Sequence, residues 1–343
     1  MRAGEIWWSQ IGNSIRFLDG IVNALRDARS AILDIRKSIP WREEFYEAVD
    51  VRRASHTGHR RLIRKEWTAG ANPGRFLLDA ICTSQEQANY YPGWSFAQYL
   101  SATENISIRD YYVWITAIHN KSDMRKWVDF LTEYGKLTQD AGQRATFILE
   151  YDGVPISFGS VESLQYCVQK YDCRIFAMSS AATVENTKYI AYQSELAISL
   201  SAEDPQLCWE LILRGNELLY DPVGAMEYVV GPERMDIQTI RSRVWEAGLI
   251  HLFPRIEQYR LSFIGKHTQE LMAHLPIDNG DGEMITEPED LEMGNLWFMV
   301  NHYHRMCSQS EFQNIKLCRD IRNNLAHNKP VSFESIEMLH ALD

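Results

Sequence analysis

No stretch of this 343-residue chain approaches the roughly 18 consecutive apolar residues that a membrane-spanning helix needs. The N-terminal run MRAGEIWWSQIGNS has no long apolar core of the kind a secretory leader carries. Internal repeats and low-complexity tracts are missing as well. The six cysteines (Cys82, Cys167, Cys173, Cys208, Cys307 and Cys318) form no C-x-x-C pair, and no Cys/His set has zinc-site spacing. The glycine-rich pattern G-x-x-x-x-G-K-[ST] is also absent. IGKHT (264–268) offers Gly265, Lys266 and Thr268, but Arg260 stands where the first glycine is required. Together these absences predict a soluble cytoplasmic protein with reduced, mostly buried thiols, no bound metal, no cofactor and no membrane partner.

Charge is the next constraint. The formal net charge is -11. Residues 1–75 hold 14 Lys and Arg against 9 Asp and Glu, a net +5, which leaves -16 for the rest. An acidic chain is a poor general binder of nucleic acid, because phosphate contacts are made by cations. Any nucleic-acid contact is expected to be local. Arg60, Arg61, Arg64 and Lys65, with Arg52, Arg53, His56 and His59 nearby, are one candidate for gripping a phosphate backbone. A solvated face pairing with the acidic remainder explains the same cluster.

The pattern along the chain predicts three regions. Residues 1–110 read as mainly helical: Ile15, Leu18, Ile21, Val22, Leu25, Ala28, Ile32 and Ile35 recur near 3.6 spacing, and a second helix follows Ser38 and Pro40. Residues 111–183 read as an α/β core. YYVWITAI (111–118) and RATFILEYDG (144–153) have strand composition, 122–136 and 160–171 read as helices, and CRIFAMSS (173–180) reads as a third strand. Strands alternating with helices argue for a small parallel sheet. Residues 184–235 are helical, broken near Asp204-Pro205 and Asp221-Pro222. The segment 236–343 reads as all helical, with helices over 236–252, 254–274, 289–306, 309–327 and 332–341 and an acidic linker at 275–292. The expected fold is therefore α/β plus all-α, with domains at 1–235 and 236–343. DNGDG (278–282) fails the register of a calcium loop and reads as part of that linker. His302 and His304 point to different faces of a helix and make a poor metal pair.

KLCRDIRNNLAHNKP (316–330) places Arg322, Asn323 and His327 at a helix end. With Leu317 at 0° on a helical wheel, Leu317, Cys318, Ile321 and Leu325 fall within about 100° of one another, and Arg322, Arg319, Asn323 and His327 lie between about 140° and 280°. Cationic residues near a helix C-terminus are favoured by the dipole alone. The pattern RNNLAH resembles the R-x4-6-H signature of HEPN domains, with the usual polar residue after the Arg, and the helical context of 236–343 is similar. That resemblance implies a helical bundle that dimerises through the motif helix and cleaves RNA without metal. Arg322, Asn323 and His327 would be its catalytic residues, with Arg319 in support. Its partners would be an RNA substrate and further copies of the chain, with room for a regulatory protein, in the setting of a toxin or antiviral effector. The alternative is a HEPN module that only oligomerises or holds a larger complex together.

Residues 111–180 also resemble the second half of a phosphate-loop NTPase core. FILEY (147–151) would be the strand bearing an acid, Glu150, and IFAMSSA (175–181) a sensor-like strand. Without the glycine loop the region reads as a pseudo-ATPase or a divergent α/β sensor or scaffold.

Overall fold

The computed structural model describes residues 2–342 apart from 37, 56–59, 139–143, 155, 185–187, 281 and 304–305. His56, His59, Asp281 and His304 therefore lie outside the described residues. The chain divides into two compact units, Met1–Asp172 and Cys173–Asp343. The division falls inside the first turn of a helix, far ahead of the expected boundary at 235/236.

The first unit runs α1 (Ala3–Gln10), α2 (Gly12–Arg26), β1 (Ala31–Asp34), α3 (Arg42–Ala54), β2 (Arg61–Glu66), α4 (Pro73–Ile81), α5 (Ser84–Ala88), α6 (Phe96–Ala102), β3 (Tyr111–Ile118), α7 (Lys121–Leu137), β4 (Thr146–Tyr151) and β5 (Glu162–Gln165). Its sheet has five strands in the order β2-β3-β4-β1-β5, every neighbouring pair parallel. The parallel sheet is as expected, but two of its strands, β1 and β2, lie in the region read as mainly helical. The alternation of strand side chains splits the burial. Ile32, Val113, Ile115, Phe147, Leu149 and Tyr151 face α4, α6 and α7 and pack with Leu77, Leu100, Trp127 and Phe130. The opposite face carries Leu33, Trp114, Ile148 and Glu150, with Phe45 and Tyr46 of α3 against Trp114.

Two readings are corrected beyond β4. Residues 162–165, expected in a helix, form β5 and pair only with β1. Residues 173–180, expected as a strand, lie in α8 (Lys170–Ala181). Cys173, Phe176, Ala177, Ser180 and Ala181 are buried there, a helical spacing, while Ile175 and Met178 are exposed. The sensor-like strand of the NTPase resemblance therefore does not exist.

Asp123 ties the first unit together near the ends of β2 and β3. Its carboxylate is buried and accepts from Trp67 Nε1 at 3.0 Å, Gly70 N at 2.9 Å, Asn120 Nδ2 at 2.9 Å and Lys126 Nζ at 3.0 Å. Burial opposes the charge, but these four donors outweigh it and hold the acid well below the usual carboxylate range.

The second unit is built of helices. α9 (Ile190–Ser201), α10 (Pro205–Leu213), α11 (Asn216–Tyr220) and α12 (Pro222–Val230) lead into α13 (Ile237–Lys266), α14 (Thr268–Met272), the short hairpin β6 (Ile277–Asp278) and β7 (Met284–Ile285), α15 (Met293–His302), α16 (Gln309–Ala326) and α17 (Phe333–His340). α9 is buried on nearly all sides and packs along α13. This is why 184–235 belongs with the C-terminal helices and not with the sheet. α13 continues through Pro254 as one 30-residue helix, where a break was expected. Pro254 and Ile250, whose carbonyl loses its partner, both face solvent, and buried Leu252 and Ile256 hold the axis on either side. The acidic segment 275–292, read as a linker, contains β6, β7 and a 3-10 turn at Pro288–Asp290.

Two stability measurements test this account. Asp123→Ala strips four donors of their acceptor and should destabilise the first unit by about 2–4 kcal/mol in denaturant unfolding. A loss under about 0.5 kcal/mol would refute the role given to Asp123. In the second unit, His251 Nε2 lies 3.1 Å from His340 Nε2, and burial, then the facing His340, hold His251 down to about 4 from 6.5. The unfolded chain takes up that proton first. Stability is thus fully present above about pH 6.5 and falls by about 2–3 kcal/mol toward pH 4, and His251→Phe should flatten that slope.

Candidate functional site

In an open parallel sheet, ligands bind outside the carboxyl ends of the strands, where successive crossovers leave in opposite directions. Here the chain leaves β1 toward β2 at one edge and leaves β4 toward β5 at the other, so the crevice between β1 and β4 is that point. The β1–α3 connection, where a phosphate loop would lie, is Ile35–Trp41 and contains no glycine. Trp41, just before α3, has a φ of 47° in the left-handed region, and the first turn of α3 carries Glu43 and Glu44. Two acids at a helix N-terminus repel the anion that such an end would otherwise attract.

The residues that follow β1 are covered by the chain's own N-terminal helix. Trp8 Nε1 donates to Pro40 O at 3.0 Å and Trp7 Nε1 to Tyr166 Oη at 2.9 Å. Trp7 meets Trp41 at 6.1 Å between ring centroids, and Trp8 meets Phe45 at 4.9 Å. A Cβ on Gly4 would come within 2.8 Å of Trp41 and Glu44 side-chain atoms, so α1 can lie this close only with glycine there. Around this cover the carboxyl edge is polar. Arg36 donates twice to Asp34 at 2.7 Å. His119 Nδ1 lies 2.8 and 2.9 Å from the two oxygens of Asp152, just past a register shift in β3 with Ala117 at φ 62°.

Glu150 is not a free acid at this edge. It is buried on β4, accepts from Tyr46 Oη and Trp114 Nε1, each at 2.8 Å, and pairs with Arg42 at 3.2 Å. Burial pushes its carboxyl up, against the pull of Arg42 and the two donors. These bonds fasten α3 to the sheet.

The basic residues do not form one surface. Arg60 and Arg64 share a face of the sheet, and Arg61 and Lys65 take the other. Arg60 donates to Arg144 O at 2.8 Å. Arg64 pairs with Asp50 at 3.1 Å and lies over the Tyr46 ring. Two of the four candidates are thus engaged within the unit, which leaves Arg61 and Lys65 on β2, where charge suits a sheet edge.

The motif of α16 is set by its two ends and its buried stripe. Ser308 and Glu311 form a capping box. The C-terminus closes with Asn328 at φ 54°, Lys329 N donating to Asn324 O and Asn328 N to Leu325 O, the pattern of a Schellman cap. Ile315, Cys318, Ile321 and Leu325 are buried, and Trp245 Nε1 anchors Leu325 O at 2.7 Å. Ile315, at about 160° on the wheel, carries the buried side past Arg322 at about 140°, so Arg322 starts from within that side and turns toward α15 rather than standing opposite it. There it pairs with Glu292 at 2.8 Å. Arg319 lies 5.3 Å over the Trp297 ring and 3.5 Å from Asp320. Asn323 is half-buried and His327 exposed. The structure thus brings Arg319 and Arg322 against α15 and leaves His327 open. His302, on α15, stacks on Phe298 and lies in no metal cluster among the described residues.

Sequence spacing could not reveal Glu292 or Trp297, which reach the motif only because α15 folds back along α16. The cover over the β1–α3 connection left a faint signal in the Trp7-Trp8 pair and in Trp41 after Pro40.

With no glycine loop after β1 and with α1 packed over that connection, ATP with magnesium should leave the melting temperature of the full chain unchanged. A ligand at a hundred times its Kd would stabilise by about 2.7 kcal/mol, so a rise of several degrees would show that α1 yields to nucleotide.

No family model matches the chain, and no curated protein matches it. Among solved structures, the Orc1 protein of Aeropyrum pernix in complex with DNA aligns over 94% of this chain and 87% of that chain, at 11% identity and a TM-score of 0.35, a superposition too loose to assign fold or function.

Proposed function

We propose that the second unit carries a HEPN-type, metal-independent ribonuclease site, completed by the same helix of a second copy. The observation that supports it is the placement of Arg319, Arg322, Asn323 and His327 at one end of α16, all outside the set of buried side chains Ile315, Cys318, Ile321 and Leu325. The chemistry asks for these residue types. An imidazole exchanges protons near neutral pH, and a guanidinium holds phosphate bidentately and stabilises charge on a pentacoordinate transition state. Attack by a ribose 2′-hydroxyl needs one group to take its proton and another to protonate the departing 5′-oxygen. One motif supplies one histidine; two copies supply both. Such a unit joined to an α/β sensor or scaffold suits a cytoplasmic toxin or antiviral effector.

The Arg322–Glu292 ion pair favours a second reading. A guanidinium already satisfied inside the chain fits a HEPN module that oligomerises without cleaving. RNA cleavage by the purified full chain separates the two. Under the first reading, His327→Ala and Arg322→Ala each lower cleavage by about a hundredfold or more while melting temperature and oligomeric state stay as in wild type. Cleavage that survives His327→Ala undiminished would sink the assignment.

A further inference from the structure

We propose that the acidic segment 275–292 is a built-in competitor of RNA: its last residue, Glu292, holds Arg322 in the resting chain, and a phosphate must displace that carboxylate to reach the guanidinium. This inference rests on the ribonuclease reading of the same site and assigns a regulation to it. Residues 275–292 hold seven Asp and Glu and no Lys or Arg, so the segment offers neighbouring cations the same sign of charge as a nucleic-acid backbone. Its end lies beside the motif. Arg322 Nη2 donates to Glu292 Oε2 at 2.8 Å.

The fold delivers Glu292 to that place. On α13, Arg260 donates to the carbonyls of Glu289 and Leu291, each at 3.0 Å, and Glu257 holds the same guanidinium at 2.8 Å. Leu291 and Met293, on either side of Glu292, are buried. Glu292 N donates to Asn295 Oδ1 at 2.9 Å. The backbone is therefore fixed while the carboxylate stays open. The Glu292 side chain is 68% exposed and that of Arg322 38%. An ion pair this exposed is weak, so it raises the RNA concentration needed without closing the site. A phosphodiester can take two donors of one guanidinium at once, which favours the exchange. An arginine paired at rest and released by RNA is compatible with cleavage, so the ion pair does not by itself mark a module that only oligomerises.

The test uses the full-length protein, with cleavage kinetics on RNA and fluorescence anisotropy on a short 2′-O-methyl oligonucleotide, which cannot be cleaved. Glu292→Gln should tighten binding and lower KM roughly two- to fivefold with kcat unchanged, because the carboxylate is displaced before the chemical step. The gain should shrink as salt is raised. Glu287→Gln removes the same charge from the same segment and should change binding and KM far less. In an Arg322→Ala background, Glu292→Gln should bring no gain in binding. If Glu292→Gln binds and cleaves as wild type does, or lowers kcat as the loss of a positioning residue would, the competitor is wrong and the ribonuclease reading stands. A binding gain that persists without Arg322 overturns the competitor as well. If Glu292→Gln binds the oligonucleotide more tightly but neither protein cleaves RNA, the competitor stands and the ribonuclease reading falls. If neither protein binds or cleaves RNA, both are overturned.

Discussion

A carboxylate buried in the middle of a sheet governs the first unit. Glu150 stands on a central strand, out of water, and a charge there is tolerated only if other groups replace its hydration. Trp114 does so from β3, and Tyr46 and Arg42 do so from α3. Meeting that demand fixes α3 against the sheet in one rotation and one register. It also fixes the residues just before the helix, Pro40 and Trp41, which in turn receive Trp8 and Trp7 of α1. One buried acid thus leads, contact by contact, to the seat of α1 over the connection after β1.

That contact separates architecture from chemistry. A parallel sheet with a switch point is a ready-made ligand crevice, but here indole rings cover the connection after β1 and two acids stand in the first turn of α3. The polar residues left around it, Asp34, Arg36, His119 and Asp152, pair with one another. At the end of α16, Arg322 turns toward α15 and His327 stays exposed.

Several elements were legible in the chain before folding. β3, α7 and β4 announce themselves through β-branched and aromatic runs and a 3.6 period, and the Asp204-Pro205 and Asp221-Pro222 breaks start helices as their capping chemistry dictates. β1 was not legible. Ala31–Asp34 is buried on both faces, and a run of three apolar residues ending in an acid matches a helical stripe as well as a strand. β2 hid because its alternation is written in arginine and lysine. α8 had the right period, Cys173, Phe176, Ala177, Ser180 and Ala181, but is short and dense enough to pass for a strand.

The candidate site divides in the same way. Sequence by itself determined that Arg322, Asn323 and His327 share a helix end, because local periodicity sets which side chains can be buried and Asn328 supplies the left-handed cap. It also determined that no glycine loop exists to cradle phosphate. Only tertiary structure decided that Arg322 turns toward Glu292, that Arg319 lies on Trp297, and that α1 packs over Pro40 and Trp41 after β1. Each of those contacts joins residues 22 or more positions apart, and their meeting depends on how whole elements pack, which no local pattern encodes.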